Sequence, residues 1–148
     1  MSRRYFTVGE VDRLVPRLER IFVHVLQLRA GMRTEEMKLE RAGVRLDAET
    51  LERESSREPA AVRQAKMMFR AYYDTLTDKL AEVDHLGGEV KDMEIGLVDF
   101  PARRGDQDIL LCWKLGERSV THYHAVDAGY RARQPIDEEV PREPQGLD

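Results

Sequence analysis

The feature that most restricts this chain is a change of hydrophobic period at Gly87-Gly88. Before it, apolar residues recur every three or four positions, the spacing of one helix face; after it they alternate, the spacing of a half-buried strand. One element cannot follow both rhythms, so the chain reads as helices followed by a sheet, an α+β fold. Val11, Leu14, Leu18, Ile21, Val25, Leu28 and Met32 form the first stripe, widened by Val15, Phe22 and Leu26. A stripe that wide wants more than one packing partner. Thr7 and Glu10 have the spacing at which two side chains cap each other's backbone at a helix start, with Phe6 and Val11 placed to staple it. Pro16 removes an amide donor inside the run and predicts a kink or two abutting helices.

Ala42 to Pro59 is charged and poor in large apolar residues, which reads as a connector. A second stripe follows from Ala60 to Leu86, with Val62, Ala65, Phe69, Tyr72, Leu76, Leu80 and Val83, and Gly87-Gly88 stands where a left-handed cap is wanted. The expected architecture is a long antiparallel helical hairpin (7–42 and 60–86) and a three-stranded antiparallel β-meander (89–124). Its strands are Val90 to Phe100, Ile109 to Leu115 and Ser119 to His124. Residues 125–136 are expected to be an ordered segment closing one domain of 1–136. Residues 137–148, proline-rich and acidic with little to bury, are expected to be a disordered tail.

The net charge of −4 comes from 24 basic and 28 acidic residues scattered along the chain, a poor match to the basic face that a nucleic acid requires. Cys112 is the only cysteine, which excludes an internal disulfide and a cysteine-built zinc cage and suits a reducing compartment. The opening residues lead into a mixed polar pattern, so neither a signal peptide nor a membrane span is expected, and the cytoplasm is the expected compartment. No nucleotide-binding glycine loop, serine elbow or paired-cysteine motif is present.

Three groupings of polar residues could carry chemistry. His122 and His124 share one strand face, a spacing that metal sites use, and a divalent metal is the cofactor such a pair admits. Were Gly116-Glu117 a two-residue turn, His122 would pair with Leu111 and His124 with Ile109, putting both imidazoles on the face of Ile109, Leu111 and Trp113. On that geometry Glu117 lies about 23 Å from His124 along an extended strand. Asp99 and Asp108, with Arg103 or Arg104, then gather with His124 at one pole of the meander, and Asp92, Glu94 and Glu117 at the other. Asp99 and His124 are the acid and base candidates. The third grouping, Arg131 and Arg133 around Tyr130 with Lys91 as an adjunct, could hold a phosphate or carboxylate, or simply pair with surface acids.

Gly88-x-Val90-Lys91-Asp92, Gly96-Leu97-Val98-Asp99-Phe100-Pro101, Leu111-Cys112-Trp113-Lys114-Leu115-Gly116-Glu117, Tyr123-His124 and Gly129-Tyr130-x-x-Arg133-x-Pro135, taken in order, resemble the prokaryotic domain-of-unknown-function family 2203. The helix start at Thr7 and the later Pro16 are similar to that family's opening. The resemblance implies no activity. It selects Asp99, Trp113, Glu117, His124 and Arg133. It also departs from the family pattern in two places, with Tyr123 standing where a tryptophan is usual and His122 where no histidine is, which weighs against a paired-histidine metal site.

The leading functional expectation is a regulatory or binding protein that forms a homodimer through its helices, with a small polar site in the meander for an unidentified ligand. The alternatives are a small metal-dependent or acid/base enzyme centred on His124 and Asp99, and an anion binder using Arg131 and Arg133.

Overall fold

A computed structural model describes residues 4–52 and 57–144. Three helices, α1 (Val8–Arg41), α2 (Ala48–Glu52) and α3 (Ala60–Leu86), precede a five-stranded antiparallel sheet. The strands are β1 (Glu89–Asp92), β2 (Leu97–Arg104), β3 (Gln107–Lys114), β4 (His122–Ala125) and β5 (Gln134–Pro135), in spatial order β1-β2-β3-β4-β5, with one 3-10 turn at Tyr130–Ala132. The chain forms two compact units, one made of the residues up to Phe22 and from Ala81 onward, the other of Val23–Leu80. No helix among the described residues is long and apolar enough to cross a membrane.

In the second unit α1 and α3 pack antiparallel. Leu39 clusters with Val62 and Ala65, while Gly31, further back along α1, lies against the Tyr72 ring, further on along α3. The connector is not featureless: Asp47 and Thr50 cap α2 reciprocally, Asp47 N donating to Thr50 Oγ1 at 3.0 Å and Thr50 N to Asp47 Oδ1 at 2.8 Å. Residues 53–56 of the connector lie outside the described residues.

In the first unit the helix-start box is present. Thr7 N donates to Glu10 Oε1 at 2.9 Å and Glu10 N to Thr7 Oγ1 at 3.3 Å. Pro16 does not divide the helix: α1 runs through it as one element, its flanks pinned by the fully buried Val15 and Leu18. At the far end of α3, Gly87 takes φ +99, with Gly87 N bonded to Asp84 O and Gly88 N to Val83 O, so the left-handed cap is where the two glycines require it. A Cβ on Gly87 would come within 2.4 Å of the Phe6 ring. Gly87→Ala therefore combines backbone strain with a clash and should cost about 2 to 4 kcal/mol; urea denaturation measures it, and a midpoint unchanged from wild type would refute the close approach.

Three expectations about the sheet need correction. The predicted first strand is two: Asp92 Oδ1 accepts from Glu94 N and Ile95 N, Gly96 takes φ +69, and the chain turns there, so β1 pairs with β2. The turn at Gly116 is not a two-residue hairpin. After Lys114 the chain leaves the sheet and returns only at His122, so His124 lies opposite Leu110 and His122 opposite Cys112. The expected pairing is off by one residue, and a slip of one moves every side chain of the strand to the other face.

Residues 137–143, expected to belong to a disordered tail, are held by specific contacts. Asp137 forms a bidentate pair with Arg104, Val140 is buried, and Arg13 pairs with Glu143. Pro141 O and Arg142 O accept the amides of Val8 and Gly9, two of the donors that a helix start leaves unpaired. Arg104 and a backbone amide hold the Asp137 carboxyl below its usual range. A carboxylate with a lowered folded value stabilises the fold above its unfolded value and loses that contribution as the pH falls through the folded one. The melting-temperature gap between wild type and Asp137→Asn should therefore be open at neutral pH and close in acid. A gap independent of pH would count against the pairing.

Candidate functional site

Register decides what the sheet presents. Val98, Phe100 and Ala102 of β2 align with Trp113, Leu111 and Ile109 of β3, and the Phe100 and Trp113 rings meet Phe6 and Phe22. That face is the core of the unit. The opposite face carries Asp99, Cys112 and His122 in one row across the strands, with Pro101, Leu110 and His124 in the next. Tyr130 and Arg133 return over it, the Arg133 guanidinium 4.5 Å from the Tyr130 ring centre and Lys114 Nζ 5.8 Å from it.

Asp99, Cys112 and His124 meet on this face, and each is at most 3% exposed. His124 Nε2 is 2.9 Å from Asp99 Oδ2 and His124 Nδ1 is 2.8 Å from Ala125 O. A carbonyl only accepts, so Nδ1 carries a proton and donates it there. Nε2 and Oδ2 then share one further proton, as a carboxylic acid donating to imidazole or as an imidazolium donating to carboxylate. Oδ1 of Asp99 is buried and has no hydrogen-bond partner among the described residues. Burial pushes the Asp99 carboxyl above its ordinary range, and His124, Cys112 and Lys91 partly offset this.

Cys112 is completely buried. Desolvation, helped by the Asp99 charge, pushes its thiol up to about 12, although Arg133 beside it pulls the other way. A thiol so held is the protonated, unreactive form and not a nucleophile. Arg133 also pairs with Glu117 at 3.3 Å, and Glu117 Oε1 accepts from Lys114 N at 2.7 Å. The Glu117 backbone carbonyl takes the Trp113 indole N–H, and Val120 N donates to Asp12 Oδ1. These four bonds hold the open loop that displaced the expected hairpin.

The site residues selected by sequence therefore divide. Asp99 and His124 come together as expected. Glu117 and Arg133 stand next to them as a pair reaching Cys112, so Glu117 joins the pole it was expected to be far from, while Asp92 stays in the β1–β2 turn with Glu94: the segment between Glu117 and His122 is a loop, and the extended-strand distance does not apply. Asp108 goes elsewhere, accepting from Tyr5 Oη and facing Arg103. Lys91 pairs with Glu89 at the exposed end of β1. Arg131 is exposed in the 3-10 turn, away from the Arg133 pair. His122 bonds to the Thr121 hydroxyl at 2.8 Å. Cys112 is the member not selected in the sequence, where a single cysteine has no second ligand or thiol at a recognisable spacing.

A family model for an uncharacterized conserved protein matches residues 4–136, which take in all three helices and the whole sheet. The chain belongs to DUF2203. The match takes in every residue of the Asp99, Cys112, His124, Glu117 and Arg133 cluster. No curated protein and no solved structure matches this DUF2203 chain.

Proposed function

We propose that this DUF2203 chain is a binding or regulatory protein, with its ligand site on the Asp99, Cys112 and His124 face of the sheet. The observation that carries the reading is the state of the three side chains: buried, converging, and held in unreactive forms. The thiol is kept protonated, and both imidazole nitrogens are engaged. Such groups are placed to recognise something small, whereas a nucleophile or a general base needs a poised pKa and access to substrate. A cytoplasmic setting suits the reading, since it keeps a lone thiol reduced.

The test is reaction of Cys112 with a disulfide reagent such as dithionitrobenzoate, which the absence of other cysteines makes unambiguous. Native protein should react only at its unfolding rate. Prompt stoichiometric labelling of folded protein would favour a reactive-thiol enzyme instead.

A second copy of the chain is the partner this reading carries. Val23, Leu26 and Met37, between 39% and 51% exposed, fall on one face of α1, and a self-complementary pair is the commonest closed assembly. Light scattering coupled to size exclusion should give twice the chain mass. A monomer at micromolar concentration, or a dimer unaffected by Val23→Glu with Leu26→Glu, removes that face as the interface.

A further inference from the structure

The geometry points to a divalent transition cation, of which Zn²⁺ and Co²⁺ are the fitting members, as the ligand of the Asp99, Cys112 and His124 site. The inference rests on the reading of that face as a binding site and names its ligand. One donor atom from each residue lies within 4.8 Å of the others. Ligands around a tetrahedral zinc ion at its usual bond lengths stand about 3.4 to 3.7 Å apart, so small side-chain adjustments bring the three around one centre.

The donors come from three consecutive strands, with Asp99 on β2 directly opposite Cys112 on β3 and His124 on β4 one row along. The sheet therefore holds them without help from a flexible segment. Two observations beyond the clustering indicate a ligand. Asp99 is 1% exposed, yet its Oδ1 has no partner among the described residues, which for a buried carboxylate oxygen is costly unless something positive meets it. In addition, His124 Nδ1 donates to the Ala125 carbonyl, the outer hydrogen bond that fixes the tautomer of a metal-bound histidine and turns its other nitrogen toward the ion.

A thiolate, an imidazole and a carboxylate together form the soft and borderline set that selects zinc or cobalt over calcium or magnesium. On binding, the Cys112 thiol releases its proton to solvent and the proton shared by His124 and Asp99 leaves with it. The sulfur, Nε2 and a carboxylate oxygen then each donate a lone pair to the cation. Three protein ligands are one short of a closed tetrahedral cage, which leaves the fourth position for an exogenous donor.

The experiment uses full-length protein, purified and then freed of metal with a chelator, titrated with CoCl2 and separately with ZnCl2. One equivalent per chain should raise the melting temperature, and the cobalt form should show the near-ultraviolet thiolate-to-metal band. Cys112→Ser, nearly isosteric and so expected to fold, should abolish that band and weaken binding at least about 100-fold. Asp99→Asn should keep the band but weaken binding about 10-fold or more. Folded wild type with no band and no thermal shift at ten equivalents overturns the cation. A band that survives in Cys112→Ser overturns the site. If the cation fails while Cys112 stays shielded from the disulfide reagent, the binding reading stands with another ligand; if Cys112 labels promptly, that reading fails as well.

Discussion

Trp113→Ala should destabilise the protein by about 3 to 5 kcal/mol, the range for deleting a large aromatic side chain from a filled core. Trp113 is 0% exposed, lies 6.1 Å from Phe22 ring to ring, and is the largest fully buried side chain among the described residues. Its loss acts twice. It opens a cavity between sheet and α1, and it strips the Glu117 carbonyl of the indole N–H that helps to hold the loop from Lys114 to His122. Trp113→Phe separates the two effects, since it keeps most of the volume and loses the hydrogen bond, and should cost about 1 to 3 kcal/mol. Guanidinium unfolding followed by circular dichroism reads both. Equal losses for the two variants would mean that packing contributes little at this position.

The second large effect belongs to His124. Alanine there leaves the Asp99 carboxyl buried without its imidazole partner, and removing one partner of a buried pair costs about 3 to 5 kcal/mol. Asp99→Asn is the informative contrast. With His124 Nδ1 committed to the Ala125 carbonyl, a neutral ring presents the Nε2 lone pair, and an asparagine amide can donate to it without any shared proton. The metal-free Asn variant should therefore lie within about 1 kcal/mol of wild type. If His124→Ala and Asp99→Asn prove equally unstable in the presence of a chelator, the hydrogen-bond arrangement derived above is wrong.

Much of this fold was legible because its signals are local. The Thr7 and Glu10 box, the two apolar stripes and the glycine pair after α3 each depend on residues within one or two turns, and each stands where the pattern put it. Register is different, because it depends on how much chain a turn consumes. Gly116-Glu117 looks like a tight hairpin, but the loop it starts is held open by Asp12, more than a hundred positions away, and no local pattern reports that bond.

The other hairpin is legible in its residues. Gly105, at φ +59, followed by Asp106 is a two-residue turn with glycine first, and counting outward from Arg104 opposite Gln107 brings Asp99 opposite Cys112. That count would have placed the thiol beside the carboxyl from sequence alone. The segment from Asp137 to Glu143 misled for another reason: its composition suits disorder, but Val140 finds a core position and the acids find Arg104 and Arg13.

The contact between that segment and the start of α1 bears on how the chain acquires its structure during synthesis. The first two amides of α1 are satisfied by Pro141 and Arg142, and Arg13 waits for Glu143, 130 positions downstream. A nascent chain emerging from the ribosome must therefore carry α1 with an unfinished first turn until the segment about 130 positions downstream has been made.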